Sequence, residues 1–262
     1  MKKALLLGVS LAAVGAAPAL AADLAPRTYT KAPAYVPAPI YSWAGFYIGL
    51  NGGGGSSRNC WDMTQVGALI VSPSVREGCH NATGGMAGGQ IGYRWQASNW
   101  VFGLEAQGDW ANFKGSNTSA VGIAAGLPYT NQSKIDAIGL FTGQVGYAWN
   151  NVLWYAKGGA AVTHNKYNGI GLGFGGAPVG ATIDQASESR WGGTVGTGVE
   201  VGFAPGWSVA VEYDHLFMGS GNNNFTTLGT GAFTRTDSIK QDVDIGTVRI
   251  NYTFGGPVVA RY

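Results

Sequence analysis

TVGTGVEVGFAPGWSVAVEYDHL, Thr194–Leu216, holds two runs of alternating residues around a three-residue break. In the first run Val195, Val199, Val201 and Phe203 share one face, with Thr197 as the exception, opposite Thr194, Gly196, Gly198 and Glu200. In the second, Trp207, Val209, Val211 and Tyr213 oppose Ser208, Ala210, Glu212 and Asp214. A period of two marks strands with one apolar and one polar face, and Ala204-Pro205-Gly206 is a turn between them. The segment reads as a β-hairpin.

Working outward, the same period recurs. In VFGLEAQGDW, Phe102, Leu104, Ala106 and Trp110 face one way, and Gly103, Glu105, Gln107 and Asp109 the other. Eight runs follow, at about 43–54, 84–96, 100–113, 134–149, 152–164, 190–203, 207–217 and 243–254. Their connections alternate strictly. Tight ones fall around Ala97-Ser98-Asn99, Asn150-Asn151 and Ala204-Pro205-Gly206; long polar ones span 55–83, 114–133, 165–189 and 218–242. Eight strands in an up-and-down meander, with every long connection on one rim, are the expected architecture.

Composition agrees. Of 262 residues 44 are Gly, which disfavours helical bundles. At 45% apolar the chain is too hydrophobic for a disordered protein. Strand length then selects the surroundings. An apolar band roughly 25 Å tall, crossed by strands tilted about 40°, takes about 10 residues per strand. The runs are that long or longer, against about 5–6 in most soluble sheets. The expectation is an all-β, eight-stranded antiparallel transmembrane barrel over 43–254, with short periplasmic turns and four long extracellular loops.

Met1–Ala21 carries Lys2 and Lys3, an apolar core over 4–14, and Ala19-Leu20-Ala21, the pattern of a cleaved export signal. Residues 22–42, with Pro26, Pro33, Pro37 and Pro39, read as a Pro/Tyr-rich periplasmic linker, and 255–262 as a periplasmic tail. Lys and Arg number 16 against 14 acids; losing Lys2 and Lys3 leaves 14 against 14. A neutral chain has no basic field for nucleic acid, so no nucleic-acid partner is expected.

Cys60 and Cys79 are expected to form a disulfide in the export compartment, restraining a loop by roughly 3 kcal/mol. The competing zinc set of Cys60, Cys79, His80 and Asp62 lacks a second close ligand pair, and no metal is expected.

Trp43, Tyr93, Trp95, Trp100, Tyr147, Trp149, Trp154, Phe203, Trp207, Tyr252 and Phe254 cluster at the short-turn ends, as in a periplasmic aromatic girdle. The alternation carries Arg94, Glu105, Asp109, Lys157, Glu200, Glu212, Asp214 and Arg249 into the lumen, with Gln90, Gln107 and Gln144. Unpaired charges there are costly, so Glu105, Glu200 and Glu212 should pair with Arg94, Lys157 and Arg249.

WAGFYIGLNGGGG at Trp43–Gly55, GGQIGYRWQ at Gly88–Gln96, GQVGYAWN at Gly143–Asn150, VGTGVEVGFAPGWSVAVEYDHL and the closing VRINYTFGGPVVARY at Val248–Tyr262 resemble the small alphaproteobacterial, rhizobial-type outer-membrane β-barrel proteins. The resemblance implies an eight-stranded barrel like the membrane domain of OmpA, located in the cell outer membrane. Members are variously described as small porins, surface antigens or hemin-binding proteins. Their terminal strand ends in an aromatic read by the assembly machinery, a place that Phe254 or Tyr262 would fill.

For catalysis, His164, His215, Asp214 and His80 are the candidates. A hydrolase needs a histidine oriented by a carboxylate, yet adjacent Asp214 and His215 point to opposite faces of a strand. No enzyme activity is expected. Hemin would need axial ligands, with His80, His164, His215 and Tyr167 as candidates. The expected protein is thus a monomeric outer-membrane barrel of structural and surface-exposed role, without cofactor. Its expected partners are outer-membrane lipid, lipopolysaccharide, periplasmic chaperones and the barrel-assembly machinery. A narrow solute pore or a loop-borne adhesin or ligand-binding role is the alternative.

Overall fold

The computed structural model describes residues 41–173 and 178–255. The signal and the tail residues 256–262, Tyr262 included, lie outside the described residues, as does all but the last part of the linker. Eight strands follow in chain order: β1 Gly45–Val66, β2 Leu69–Ala97, β3 Trp100–Thr118, β4 Tyr129–Trp149, β5 Val152–Gly171, β6 Thr182–Ala204, β7 Trp207–Thr227 and β8 Phe233–Phe254. Each pairs antiparallel with its neighbour, and β1 pairs with β8, so the sheet closes into a barrel without a free edge.

The three tight turns fall where the alternation breaks. Ser98 and Asn150 take left-handed backbone, φ 57° and 54°, and Gly206 takes φ 77°. Each turn also bonds the next hairpin: Ala148 N–H donates to Asn99 O at 2.7 Å, Gly202 N–H to Asn151 O at 2.7 Å and Thr253 N–H to Gly206 O at 2.8 Å. At the short-turn rim the four hairpins are therefore laced to one another by hydrogen bonds.

At the other end the structure corrects the expected long loops. Residues 55–66 and 69–83 continue β1 and β2 as one ladder that turns at Gly67, and half of 114–133 and most of 165–189 and 218–242 are likewise strand. One five-residue helix, α1 (Ala120–Ala124), caps the β3–β4 connection, with Ser119 Oγ accepting from Gly122 N–H at 3.1 Å. The reason lies in the contrast between faces. Beyond the apolar band both faces are polar, as with buried Ser57 and Asn59 beside exposed Arg58, so the period of two loses its hydrophobic signal while the ladder continues.

Strands of 19 to 29 residues, at about 3.3 Å each and tilted about 40°, carry the wall far past the roughly 25 Å apolar band. Cys60 and Cys79 sit in that extension. They are register partners in the β1–β2 ladder rather than in a loop, and they form a disulfide.

Candidate functional site: a filled lumen

The inward faces divide into levels. Nearest the periplasm, Trp43, Val101, Ala148, Leu153 and Tyr155 form a small apolar cluster. Trp43 was expected in the lipid-facing girdle, and the structure overturns that. It shares the parity of Tyr47, is fully buried, and donates its indole N–H to Asn150 O at 3.1 Å. The other girdle residues point outward, for example Trp95, Trp100, Trp149 and Phe203. Edge-on and tilted pairs such as Trp100–Tyr147 and Trp207–Tyr252 link neighbouring strands.

Next comes the charged level. Arg94 Nη2 meets Glu200 Oε2 at 2.8 Å, and both side chains are wholly buried. Lys157 Nζ lies 2.6 Å from Glu212, 3.4 Å from Glu105 and 3.4 Å from Asp214. Arg249 spans the lumen, with Nη1 on Glu212 and Nη2 on Glu105. The expected pairing of Glu105, Glu200 and Glu212 with Arg94, Lys157 and Arg249 is what the structure assembles. Gln144 joins it, donating to Tyr47 Oη at 3.0 Å. Gln107 donates to Asp109 at 2.9 Å, and Gln90 bridges Asn51 and Asn251 at 2.9 and 2.7 Å.

Sequence reasoning missed Tyr47 and Tyr155, whose hydroxyls donate to Glu105 and Glu212, each at 2.6 Å. Parity was the available signal, since Tyr155 stands two residues from Lys157 and Tyr47 four from Asn51. The hydroxyl end of each ring packs against a glycine. A methyl group on Gly92 would sit 2.5 Å from the Tyr47 ring, and one on Gly198 would sit 2.5 Å from the Tyr155 hydroxyl.

Four residues further out along each strand the lumen turns apolar. Gln144 is followed by Leu140, Arg249 by Ile245, Glu212 by Leu216 and Asp109 by Phe113. These, with Ile138, Val243, Met86 and Met218, form one buried cluster across the barrel. Phe113 keeps the inward parity of Asp109, while the register shift opposite it changes the inward face of β4 from Ile138 to Ile135.

Above it lies a second aromatic level, Trp61, Tyr167, Phe225 and Ile239. At the outer end Arg235 pairs with Glu77 at 3.2 Å, Asp184 at 3.1 Å and Asp237 at 3.5 Å. Its guanidinium lies 4.5 Å from the ring centres of both Tyr129 and Phe225. This cluster went unread because its residues fall in segments that look like loops. Asp237 is fully buried with neither carboxylate oxygen hydrogen-bonded, and burial pushes its carboxyl up to about 8. Burial also depresses His80, which sits between Asn117 Oδ1 at 2.6 Å and Ser133 Oγ at 2.9 Å.

The histidines are not brought together. His164 faces outward beside Ser189 at 3.1 Å, and His215 faces outward against Asp244 at 2.6 Å. The zinc set is dissolved, because both cysteines are in the disulfide and Asp62 pairs with Arg76. Tyr167 is buried, donating to Glu188 at 3.2 Å, and it and His80 both pack against Trp61 inside the barrel, away from outward His164 and His215.

The outer membrane protein beta-barrel domain family matches residues 7–236. The chain belongs to this family. It is 30% identical over 258 residues to the 31 kDa outer-membrane immunogenic protein of Brucella melitensis, covering 94% of this chain and 97% of that one. A 22 kDa outer membrane protein of Rhizobium leguminosarum is 27% identical over 199 residues, covering 75% and 73%. Among solved structures, the outer membrane protein OprG of Pseudomonas aeruginosa superposes with a TM-score of 0.50 at 10% identity, covering 84% of this chain and 100% of that one. This barrel-domain family member is an integral protein of the outer membrane with a structural, surface-exposed role. Its outward Val, Leu, Ile and Phe residues meet lipid, and Arg94, Glu105, Lys157, Glu200, Glu212 and Arg249 are enclosed.

Proposed function

We propose that this chain is a closed wall protein: monomeric, without catalytic activity, and with a lumen that passes no solute. The observation that carries the reading is the succession of filled levels. The Arg94–Glu200 and Arg249–Glu105–Glu212–Lys157 pairs span the lumen, and the Phe113, Leu140, Leu216 and Ile245 layer lies directly on them. Eight strands leave room for about one layer of side chains, and wide aqueous channels occur in barrels of about 16 strands.

Absence of catalysis is supported by the three separated histidines, of which only His215 bonds a carboxylate, and that on the outward face. A monomer is supported by ring closure, which leaves no strand edge for another chain. The partners proposed are outer-membrane lipid and lipopolysaccharide around the wall, with periplasmic chaperones and the barrel-assembly machinery acting during insertion. Planar-bilayer recording tests the closed lumen. The purified barrel should give no stable unitary current, and Arg249→Ala combined with Phe113→Ala should open one. Steady conductance from the unaltered protein would refute the closed-wall reading.

A further inference from the structure

Just outside the apolar band, three lysines stand side by side on the outer wall. Lys114 on β3 is the register partner of Lys134 on β4, and Lys134 is the register partner of Lys166 on β5. Direct cross-strand partners lie about 5 Å apart, and like charges there destabilise a sheet. Among the described residues Lys166 alone of the three has a carboxylate partner, Asp136 at 2.6 Å. The other outward residues of β3–β6 at this height are neutral or histidine, such as Ser116, Gln132, His164, Asn168 and Ser187. The wall therefore holds a row of three cations that a single carboxylate, Asp136, only partly offsets.

The opposite half of the wall behaves differently. On β7, β8 and β1 the outward charges at this height are Asp242 and Asp244 against Lys240 and Arg58. Asp244 accepts from Tyr213 at 2.6 Å and contacts His215 at 2.6 Å, and Lys240 faces Asp242 at 3.9 Å. That half is internally balanced, so cations are not simply spread around the rim.

Two indoles fix the height of the row. Trp110, 81% exposed, pairs with Ala137, three residues toward the periplasm from Lys134. Trp191, 63% exposed, pairs with Val162, four residues below Lys166. Exposed indoles favour the headgroup boundary, so the lysines sit where outer-leaflet headgroups carry their charge. Beside Lys166 a groove of about 490 Å³ is lined by Asn168, Gln185, Ser187, Asn224 and Thr226, which offer amides and hydroxyls to sugar oxygens.

We propose that the Lys114–Lys134–Lys166 row, with the groove beside Lys166, binds the phosphorylated sugar headgroup of an outer-leaflet glycolipid. A phosphomonoester carries about −1.5 to −2 charge at pH 7, enough to offset two of the lysines, and it accepts charge-assisted hydrogen bonds. Lys166 keeps Asp136, which leaves Lys114 and Lys134 for the phosphate. The proposal rests on outer-membrane placement with the hairpin ends outward, which protease protection after insertion into vesicles reads separately.

The test is native mass spectrometry of the refolded full chain in detergent with bisphosphorylated lipid A, dephosphorylated lipid A or inorganic phosphate. Wild type should retain bisphosphorylated lipid A at least tenfold over the dephosphorylated form, and equimolar inorganic phosphate should not displace it. Lys114→Gln/Lys134→Gln/Lys166→Gln should lose at least tenfold in retention, whereas Arg58→Gln/Lys240→Gln should bind as wild type. Without lipid, Lys134→Gln alone should melt no lower than wild type, because it relieves repulsion, and it should itself bind more weakly. Equal retention by the triple variant, no preference for the phosphorylated lipid, or displacement by inorganic phosphate would overturn the proposal.

Discussion

The guanidinium of Arg94 lies over the ring of Tyr47, 4.4 Å from its centre. With Glu200 on its edge and Gln144 beside it, this wholly buried cation is held by strands other than its own. Removing one partner of such a pair leaves an uncompensated buried charge, at about 3–5 kcal/mol. Arg94→Ala or Glu200→Ala should therefore lower unfolding stability in urea by that amount, read by indole fluorescence in lipid vesicles. Arg94→Met combined with Glu200→Met should recover most of it. If the double variant is no better than the singles, the cost lies in lost shape rather than stranded charge.

Gly92 and Gly198 make room for the hydroxyl ends of Tyr47 and Tyr155. Alanine at either position should cost about 1–3 kcal/mol, the range for overpacking a filled interior. Gly108 and Gly246, which have open space around them, should take alanine with little effect in the same urea titration. Equal costs at all four positions would contradict the packing argument.

Indole placement can be read directly. In single-tryptophan variants, brominated lipid should quench Trp95, Trp100, Trp149, Trp154 and Trp207 strongly, and leave Trp43 and Trp61 nearly untouched. Strong quenching of Trp43 would return it to the lipid-facing belt.

The outer end should respond to pH through Asp237. Burial raises its carboxyl to about 8, so the folded chain keeps a proton that the unfolded chain releases near 3.8. Stability from this group is therefore greatest below that lower value and declines as pH rises toward 8. The depressed His80 works with the opposite sign, but only below its ordinary 6.5. Between pH 6.5 and 8 Asp237 acts alone of the two: wild type should melt lower at the higher pH, and Asp237→Asn should show a smaller fall. A wild-type melting point that rises over this interval would reverse the assignment.

The disulfide closes the β1–β2 ladder at Cys60 and Cys79, below the hairpin tip. Cys60→Ser/Cys79→Ser should accelerate amide exchange over residues 61–78 and leave the membrane band unchanged. Faster exchange throughout β1 would show that the bridge supports the whole barrel.

The alternation made the membrane band legible because lipid outside and charge inside differ on every second residue, as in Glu200, Glu212 and Arg249 against Val199, Val211 and Val248. It failed in three places, each for a physical reason. Trp43 precedes its strand, where aromatic character alone suggested a girdle and parity was not weighed. Ile135 lies beyond a bulge on β4 that resets the parity set by Ile138 and Leu140. The Arg235, Glu77, Asp184 and Asp237 cluster occupies strands with two polar faces, where composition resembles a loop and only long-range register brings three strands together.

The ladder that runs on past the bilayer leaves few free peptide segments at the cell exterior. An antibody meeting this surface would grip residues from adjacent strands, such as Arg58, Asn81 and Asp242, that come together only in register. Sera raised against short synthetic fragments of the chain should consequently stain denatured blots and miss intact cells, whereas sera against the refolded barrel should do the reverse.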